Sequence, residues 1–296
     1  MLWKWVLSYL LALLIMFSLI LVISNYLLRQ LEEQVESTMI SSVNQLVSRM
    51  DSIYLGFERL MTDISMNENV STLYSVVGSQ RPYHQYIMYK TILDLKLYHI
   101  AYDFLDADSP LLYINNRNGD QYLLNPNAKY ELLLYHQVSG LFRSISFVQW
   151  IELLENAPGS ISYIVLPGLE NENYTNNTIC MLKALNITML TKPGSAVFIK
   201  MNMDKLALII REANFLEDSK IVLMDKNTDV IISVKQNGFE NSSETYPFLE
   251  GAFMRHENDI VVSVASSVNG FKYQYIVPKS VYLRHEKSVK TRQGMA

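Results

Sequence analysis

The stretch from Trp5 to Leu28, WVLSYLLALLIMFSLILVISNYLL, carries no charged residue, no Gly and no Pro. It has about the ~20 apolar residues that a helix needs to cross a hydrocarbon core. Lys4 and Arg29 bracket it, and no Gly or Pro separates it from the segment that follows. Residues 1–28 therefore read as a short cytoplasmic start and a membrane-spanning helix. A cleaved secretory signal is the competing reading. Against it, the apolar core exceeds the ~7–15 residues of such a signal and no A-x-A site closes it. The lone cysteine, Cys180, lies far from the amino terminus and argues against a lipid anchor.

Beyond the span, apolar residues recur at Met39, Val43, Leu46, Met50, Ile53, Phe57, Leu60 and Ile64, with spacings alternating between four and three. This is the pattern of a coiled-coil seam, or of a helix packed lengthwise on a partner surface. A continuous helix from Arg29 to Ile64 would rise roughly 50 Å at ~1.5 Å per residue. Residues 29–78 are predicted as a stalk helix. Its seam is equally the dimer interface of a homodimer or the core helix of a monomer.

After the anchor and stalk, roughly 220–230 residues remain, enough for one large or two small domains. With 49% apolar residues and 19 Tyr, this remainder can bury a core. A net charge of −4 leaves no electrostatic footprint for nucleic acid, and one cysteine forms no internal disulfide. Arg29 is soon followed by Glu32, Glu33 and Glu36, so the positive-inside rule discriminates little. The short head and large following body favour a single-pass protein of the cell membrane with its body extracytoplasmic.

Gly78 and Pro82 break the stalk pattern, and a second helical stretch follows with Tyr86, Tyr89, Ile92, Leu93 and Leu97 along one face. The period then changes to two. IAYDFLD (100–106), LLYIN (111–115) and QYLL (121–124) read as strands around an NRNGD turn. A helix around Val148, Ile151 and Leu154 stops at Pro158-Gly159, and ISYIVLP, ICMLKAL and SAVFIKMN supply three more strands. Residues 79–203 thus form one α+β domain. At Asp204, a candidate cap, the helix KLALIIREA opens a second α+β unit over residues 204–283, with strands KIVLMD, VIISV, DIVVSVASS and FKYQYIVP. Asn269-Gly270 between the last two is a hairpin signal. Residues 284–296 form a basic tail.

Catalytic motifs are absent. The five histidines lack the i, i+4 pairing of a zinc helix, and no G-x-S-x-G, Walker-type or G-x-G-x-x-G loop occurs. No enzymatic activity, metal or cofactor is expected. Tyr102, Asp103, Tyr113, Asn115, Arg117, Trp150 and Tyr163 combine flat aromatic faces with hydrogen-bonding groups, the usual lining of a site for a small polar ligand. Taken singly, Trp150 also fits a core position, and Asn115 with Arg117 a turn.

The order of anchor, stalk ending in SRMDSIYLGFERLMTDIS, the pair IAYDFLD and LLYIN, the helix with Trp150, KPGSAVFIKMNMDKLALII, KIVLMDKNTDVIIS and SSVNGFKYQYIVPKS resembles one family across almost the whole chain. This is the extracytoplasmic double-Cache sensor region of Gram-positive membrane-bound regulators, both AraC-type transcriptional regulators and the related sensor histidine kinases. The resemblance implies two PAS-like domains on a long helix: a membrane-distal one that binds ligand and a membrane-proximal one that relays. It also implies a homodimer through the stalk and, for many relatives, carbohydrate-related ligands. The R-x-x-x-W-Y signature of some amino-acid-binding Cache sensors does not occur here, since Arg143 and Trp150 are seven apart and no Tyr follows Trp150.

Relatives continue into a second span and a cytoplasmic output module, whereas the sequence in hand runs YLRHEKSVKTRQGMA after the last strand. Three functional readings follow. The chain is the ligand-sensing region of a signal-transduction regulator, an anchored binding or interaction protein that works with a complete partner, or a truncated product.

Overall fold

The computed structural model describes residues 2–75, 81–105, 108–115, 121–127, 129–130, 146–166, 170–171, 174–175, 177–185, 195–213, 216–235, 238–239, 245–251 and 253–284. The anchor and stalk form one unbroken helix, α1 (Leu2–Ser65), of 64 residues. From residue 9 to residue 27 the large apolar side chains stand exposed, and an 18-residue window there has a mean hydropathy of 2.5 with none of it buried. Such a surface fits a hydrocarbon environment.

Two short helices follow, α2 (Glu68–Ser75) and α3 (Arg81–Ala101), then a 3₁₀ turn at Asp103–Leu105. The first sheet is built from β1 (Leu111–Asn115), β2 (Gln121–Leu124), β3 (Lys129–Tyr130), β4 (Ser162–Leu166), β7 (Thr178–Ala184) and β8 (Ala196–Lys200). The helix α4 (Phe147–Glu155) packs on it, and β5 (Glu170–Asn171) and β6 (Tyr174–Thr175) form a small separate ribbon. The helix α5 (Met203–Ala213) leads to the second sheet of β9 (Lys220–Met224), β10 (Val230–Lys235), β11 (Gly238–Phe239), β12 (Phe253–Arg255), β13 (Asp259–Ala265) and β14 (Lys272–Pro278).

The strand orders are β3-β2-β1-β8-β7-β4 and β11-β10-β9-β14-β13-β12, antiparallel throughout. Each strand of the second sheet thus occupies the place of its counterpart in the first. The fold is duplicated although the sequence shows no residue-level repeat. It is the α+β architecture that the sequence predicts: an apolar helix and stalk followed by two PAS-like domains.

Within each sheet, alternate residues feed two different cores, as the two-residue period of a strand requires. In β7, Ile179 and Met181 face α1, while Cys180, Leu182 and Ala184 face outward against α4. The inner faces of both sheets and one stripe of α1 make a single continuous core. In it lie all eight predicted seam positions; Ile53 is partly buried, and Met39, Val43, Leu46, Met50, Phe57, Leu60 and Ile64 are at most 3% exposed. That corrects the reading of the seam as a dimer interface. Its apolar stripe is already covered by the chain's own strands.

Polar contacts place the sheets along α1. Arg255 of β12 pairs with Glu32 at 3.5 Å, and Arg49 pairs with Glu212 of α5 at 2.7 Å. Higher on α1, Tyr163 donates to Glu58 at 3.4 Å and Lys183 to Thr62 at 2.8 Å. The second sheet therefore lies on the half of α1 nearer the apolar segment and the first on the far half.

Between them, the Asp51 carboxylate accepts from the hydroxyls of Ser266 at 2.5 Å and Ser267 at 2.9 Å, and from the Ser267 amide at 3.2 Å. These hold the β13–β14 turn, where Gly270 takes φ +73, against the stalk. Asp51→Ala is expected to lower unfolding free energy by about 2–3 kcal/mol, since hydrogen bonds to a charged group are each worth roughly 1.5–3 kcal/mol when well shielded. Urea unfolding measures this, and a loss under about 0.5 kcal/mol would show that the turn is held by packing alone.

Two local expectations are corrected. Residues 100–105 are not a strand: α3 continues through Ala101 and the 3₁₀ turn follows. Leu105 reaches α1 at Gly56, where an added Cβ would stand 2.5 Å from its Cδ2, so a larger residue there would make the Leu105 side chain shift. The cap of α5 is Asn202, whose Oδ1 accepts from the amides of Asp204 at 3.1 Å and Lys205 at 3.2 Å. Asp204 instead sits in the first turn, where its charge favours the helix dipole. The expected NRNGD turn lies outside the described residues.

Candidate functional site

The outer face of the first sheet carries the polar cluster. Ser146 and Gln149 cap α4 reciprocally, which fixes where the helix begins. Trp150 and Leu154, one turn apart, then bury against Tyr113, Leu182 and Phe198. That docking brings Glu155, at the helix end, over β1. Tyr113 donates its hydroxyl to Glu155 Oε1 at 3.3 Å, and the Asn115 side-chain amide reaches the same oxygen at 3.5 Å. Ser195 ties down the neighbouring main chain, accepting from the Asn115 amide at 2.9 Å.

Burial, and then the charge of Glu155, hold the Tyr113 phenol well above its ordinary range, so it stays a donor at any physiological pH. Among the described residues, no ion pair reaches Glu155. The cluster is a half-buried carboxylate with a hydroxyl and an amide beside it, over an aromatic floor.

Of the seven residues predicted to line a site, Tyr113, Asn115 and Trp150 come together here. Three others lie on the stalk side. Tyr102 donates to Asp63 at 2.5 Å and lines a groove of about 640 Å³ with Ser52, Leu55, Gly56, Arg59 and Ala101. Asp103 opens the 3₁₀ turn. Tyr163 points at α1, its ring 5.5 Å edge-on from Tyr54 and 5.8 Å from Phe271. Arg117 lies outside the described residues. Glu155 escaped sequence reasoning; its only signal was a carboxylate directly after an apolar helix seam and just before Pro158-Gly159. Among the described residues no group of three His, Cys, Asp or Glu could hold a metal ion.

The buried phenols and thiol give the fold an alkaline limit. Burial pushes Tyr275 and Cys180 up to about 12, and Tyr54, Tyr163 and Tyr273 are raised further by the same cause. Unfolded, these groups ionise near ~8.5–10, so above that range the unfolded chain releases protons that the folded chain retains. Their contribution to stability is full below about pH 8.5 and is lost as pH rises through the range to about 12. The urea midpoint is expected to hold steady from neutral pH to about 8.5 and then fall; a midpoint still level at pH 11 would contradict the burial of these side chains.

No family model matches the chain, and no curated protein matches it in sequence. Solved structures do match its fold. The sensory domain of the Campylobacter jejuni chemoreceptor Tlp3 with isoleucine bound superposes with a TM-score of 0.52 at 12% identity, covering 86% of this chain and 96% of that one. The Tlp3 ligand-binding domain in complex with L-valine gives 0.53 at 12% identity, over 86% and 96%. The periplasmic sensory domain of C. jejuni Tlp1 gives 0.51 at 11%, over 85% and 97%. At such identities the likeness defines the fold. The chain has the architecture of the Cache-like sensor domains of bacterial membrane receptors.

Proposed function

We propose that the chain is the membrane-anchored, extracytoplasmic sensing region of a bacterial regulator, of the AraC-type or histidine-kinase kind its sequence resembles. A small polar ligand sits on the outer face of the first sheet, at Tyr113, Asn115 and Glu155, and its binding is relayed through α1. The observation that carries this reading is the continuity of α1: one helix backs the sheet that bears the cluster and extends without a break into a membrane-length apolar segment.

The second sheet supports the assignment by contrast. Its outer face is filled by its own chain, with Tyr246 and Phe248 packed on Val222, Met224, Val261 and Ile276. Gln274 clamps that segment, accepting from the Tyr246 amide at 3.2 Å and donating to the Tyr246 carbonyl at 2.8 Å. On the first sheet the covering helix α4 ends instead in the half-buried Glu155 beside Tyr113 and Asn115, which supports placing the ligand there. Glu155 suits an ammonium group of the kind carried by the isoleucine and L-valine bound in Tlp3, while the hydroxyl and amide beside it suit the hydroxyls of a carbohydrate-related ligand equally well.

A thermal-shift panel of amino acids and of mono- and disaccharides tests the proposal on the full chain in detergent. A ligand at 100 times its Kd adds about 2.7 kcal/mol, a rise of roughly 5–10 °C for a body of this size. Glu155→Gln is expected to weaken binding of the responding ligand at least tenfold without lowering the melting temperature of the free protein. Silence across both classes, or affinity unchanged in Glu155→Gln, would remove the site.

A further inference from the structure

Where α1 holds both sheets through Asp51 and Tyr54, another side of the same helix stays open. Ser52, Leu55, Gly56 and Arg59 stand at i, i+3, i+4 and i+7, so they share one face. Opposite them are Ala101, the last residue of α3, and Tyr102. These six line the groove of about 640 Å³. That volume falls within the roughly 300–1,000 Å³ of small-molecule sites.

Arg59 is the charged residue of this lining, it is exposed, and among the described residues no carboxylate pairs with it. The acidic groups near it along α1 are engaged elsewhere. Asp63 accepts from Tyr102 at 2.5 Å, Glu58 from Tyr163 at 3.4 Å, and Asp51 from Ser266 and Ser267. Ser52 gives its own hydroxyl hydrogen to the Ser48 carbonyl at 2.9 Å. An occupant therefore meets a guanidinium as the donor, beside apolar surface from Leu55, which is 43% exposed, and Ala101.

We propose that this groove is a second ligand site, separate from the cluster at Glu155, and that it takes a free amphipathic carboxylate, the anion paired with Arg59 and the hydrocarbon chain laid on Leu55 and Ala101. The guanidinium fork matches a carboxylate with two parallel hydrogen bonds. The apolar wall beside it takes the chain out of water. Ser52 stands roughly 36 Å along α1 beyond Leu28, at ~1.5 Å per residue. A lipid held in the bilayer does not reach that far, so the occupant comes from the aqueous phase. The exclusion of lipid rests on the reading of α1 as an anchor; the site itself does not.

Alkylation of one thiol placed in the groove tests the site on the full chain in bilayer nanodiscs. Ser52→Cys puts a reactive group at an exposed lining position, and Cys180 stays silent at neutral pH because burial pushes its thiol up to about 12. Maleimide labelling should slow at least fivefold in millimolar octanoate. Octanol lacks the anion, octylammonium reverses the charge and acetate lacks the chain, so none of the three should protect. Octanoate should leave the labelling of Val148→Cys, exposed on α4, unchanged. Added to Ser52→Cys, Arg59→Gln and Ala101→Glu should each remove the protection; both alter exposed side chains, so circular dichroism and the melting curve should stay as they were.

No protection by octanoate, equal protection by octanol or octylammonium, or protection that survives Arg59→Gln and Ala101→Glu would overturn the site. Exchanging zwitterionic for anionic lipid in the nanodisc should leave the rate without octanoate unchanged; slower labelling in anionic lipid would overturn the assignment to a free amphiphile. Glu155→Gln should keep the protection in full, whatever becomes of the ligand proposed for the first sheet. Loss of protection in that variant would contradict a separate site.

Discussion

Replacing Tyr54 by alanine is expected to lower the melting temperature of the folded body by about 10 °C. Tyr54 is fully buried where three elements meet. Its ring is 5.5 Å edge-on from Tyr163 of the first sheet and 5.8 Å from Phe271 beside the second, and its hydroxyl is 3.5 Å from that of Tyr273. Removing the ring costs its transfer from water and leaves a cavity that strands on two sheets cannot close together, about 3–5 kcal/mol in all. Each kcal/mol corresponds to roughly 2–4 °C in a body of this size. Tyr54→Phe keeps the ring and loses one long hydrogen bond, so it should cost about 1 kcal/mol or less. If Tyr54→Ala melted within 2 °C of the parent, the junction would not be the shared core described above.

Trp150→Ala carries a comparable penalty, about 3–5 kcal/mol, and a second consequence. Trp150 and Leu154 are the two fully buried residues of α4 and hold it on the sheet. Without the indole, α4 loses its seat, and Glu155 at its end is no longer held at 3.3 Å from Tyr113. Ligand response should vanish in this variant even well below its melting temperature. Trp150→Phe fills part of the space and should retain a weakened response. Undiminished ligand affinity in Trp150→Ala would separate α4 from the binding surface.

The sequence made the helices and strands legible because their periods are strong, and it left the faces undetermined. The four-three spacing from Met39 to Ile64 marked α1 correctly as a helix with one apolar stripe. What covers the stripe was beyond it, since a dimer seam and an intramolecular core share one pattern. The strands β4 and β7 were readable as apolar runs, yet a one-residue change of phase exchanges a strand's faces. Tyr163 was therefore grouped with Tyr113, although it points to the opposite side of the sheet. Ile100 to Leu105 alternate like a strand, but Ile100 and Ala101 end α3 and Asp103–Leu105 form a 3₁₀ turn whose Leu105 packs at Gly56. In α3 the face with Tyr86, Tyr89, Leu93 and Leu97 is exposed and Ile92 half-buried, while Ile87, Met88 and Leu95 are the buried residues.

Ligand on the outer face of the first sheet is expected to be felt by α1. Hydrogen exchange of the full chain in bilayer nanodiscs, with and without the panel compound that raises the melting temperature most, addresses it directly. Slower exchange is expected in β1 and α4, accompanied by a change in α1 around Asp51 and in the turn from Ser266 to Phe271. Slowing confined to residues 245–249 on the second sheet, with β1, α4 and α1 unaltered, would contradict it.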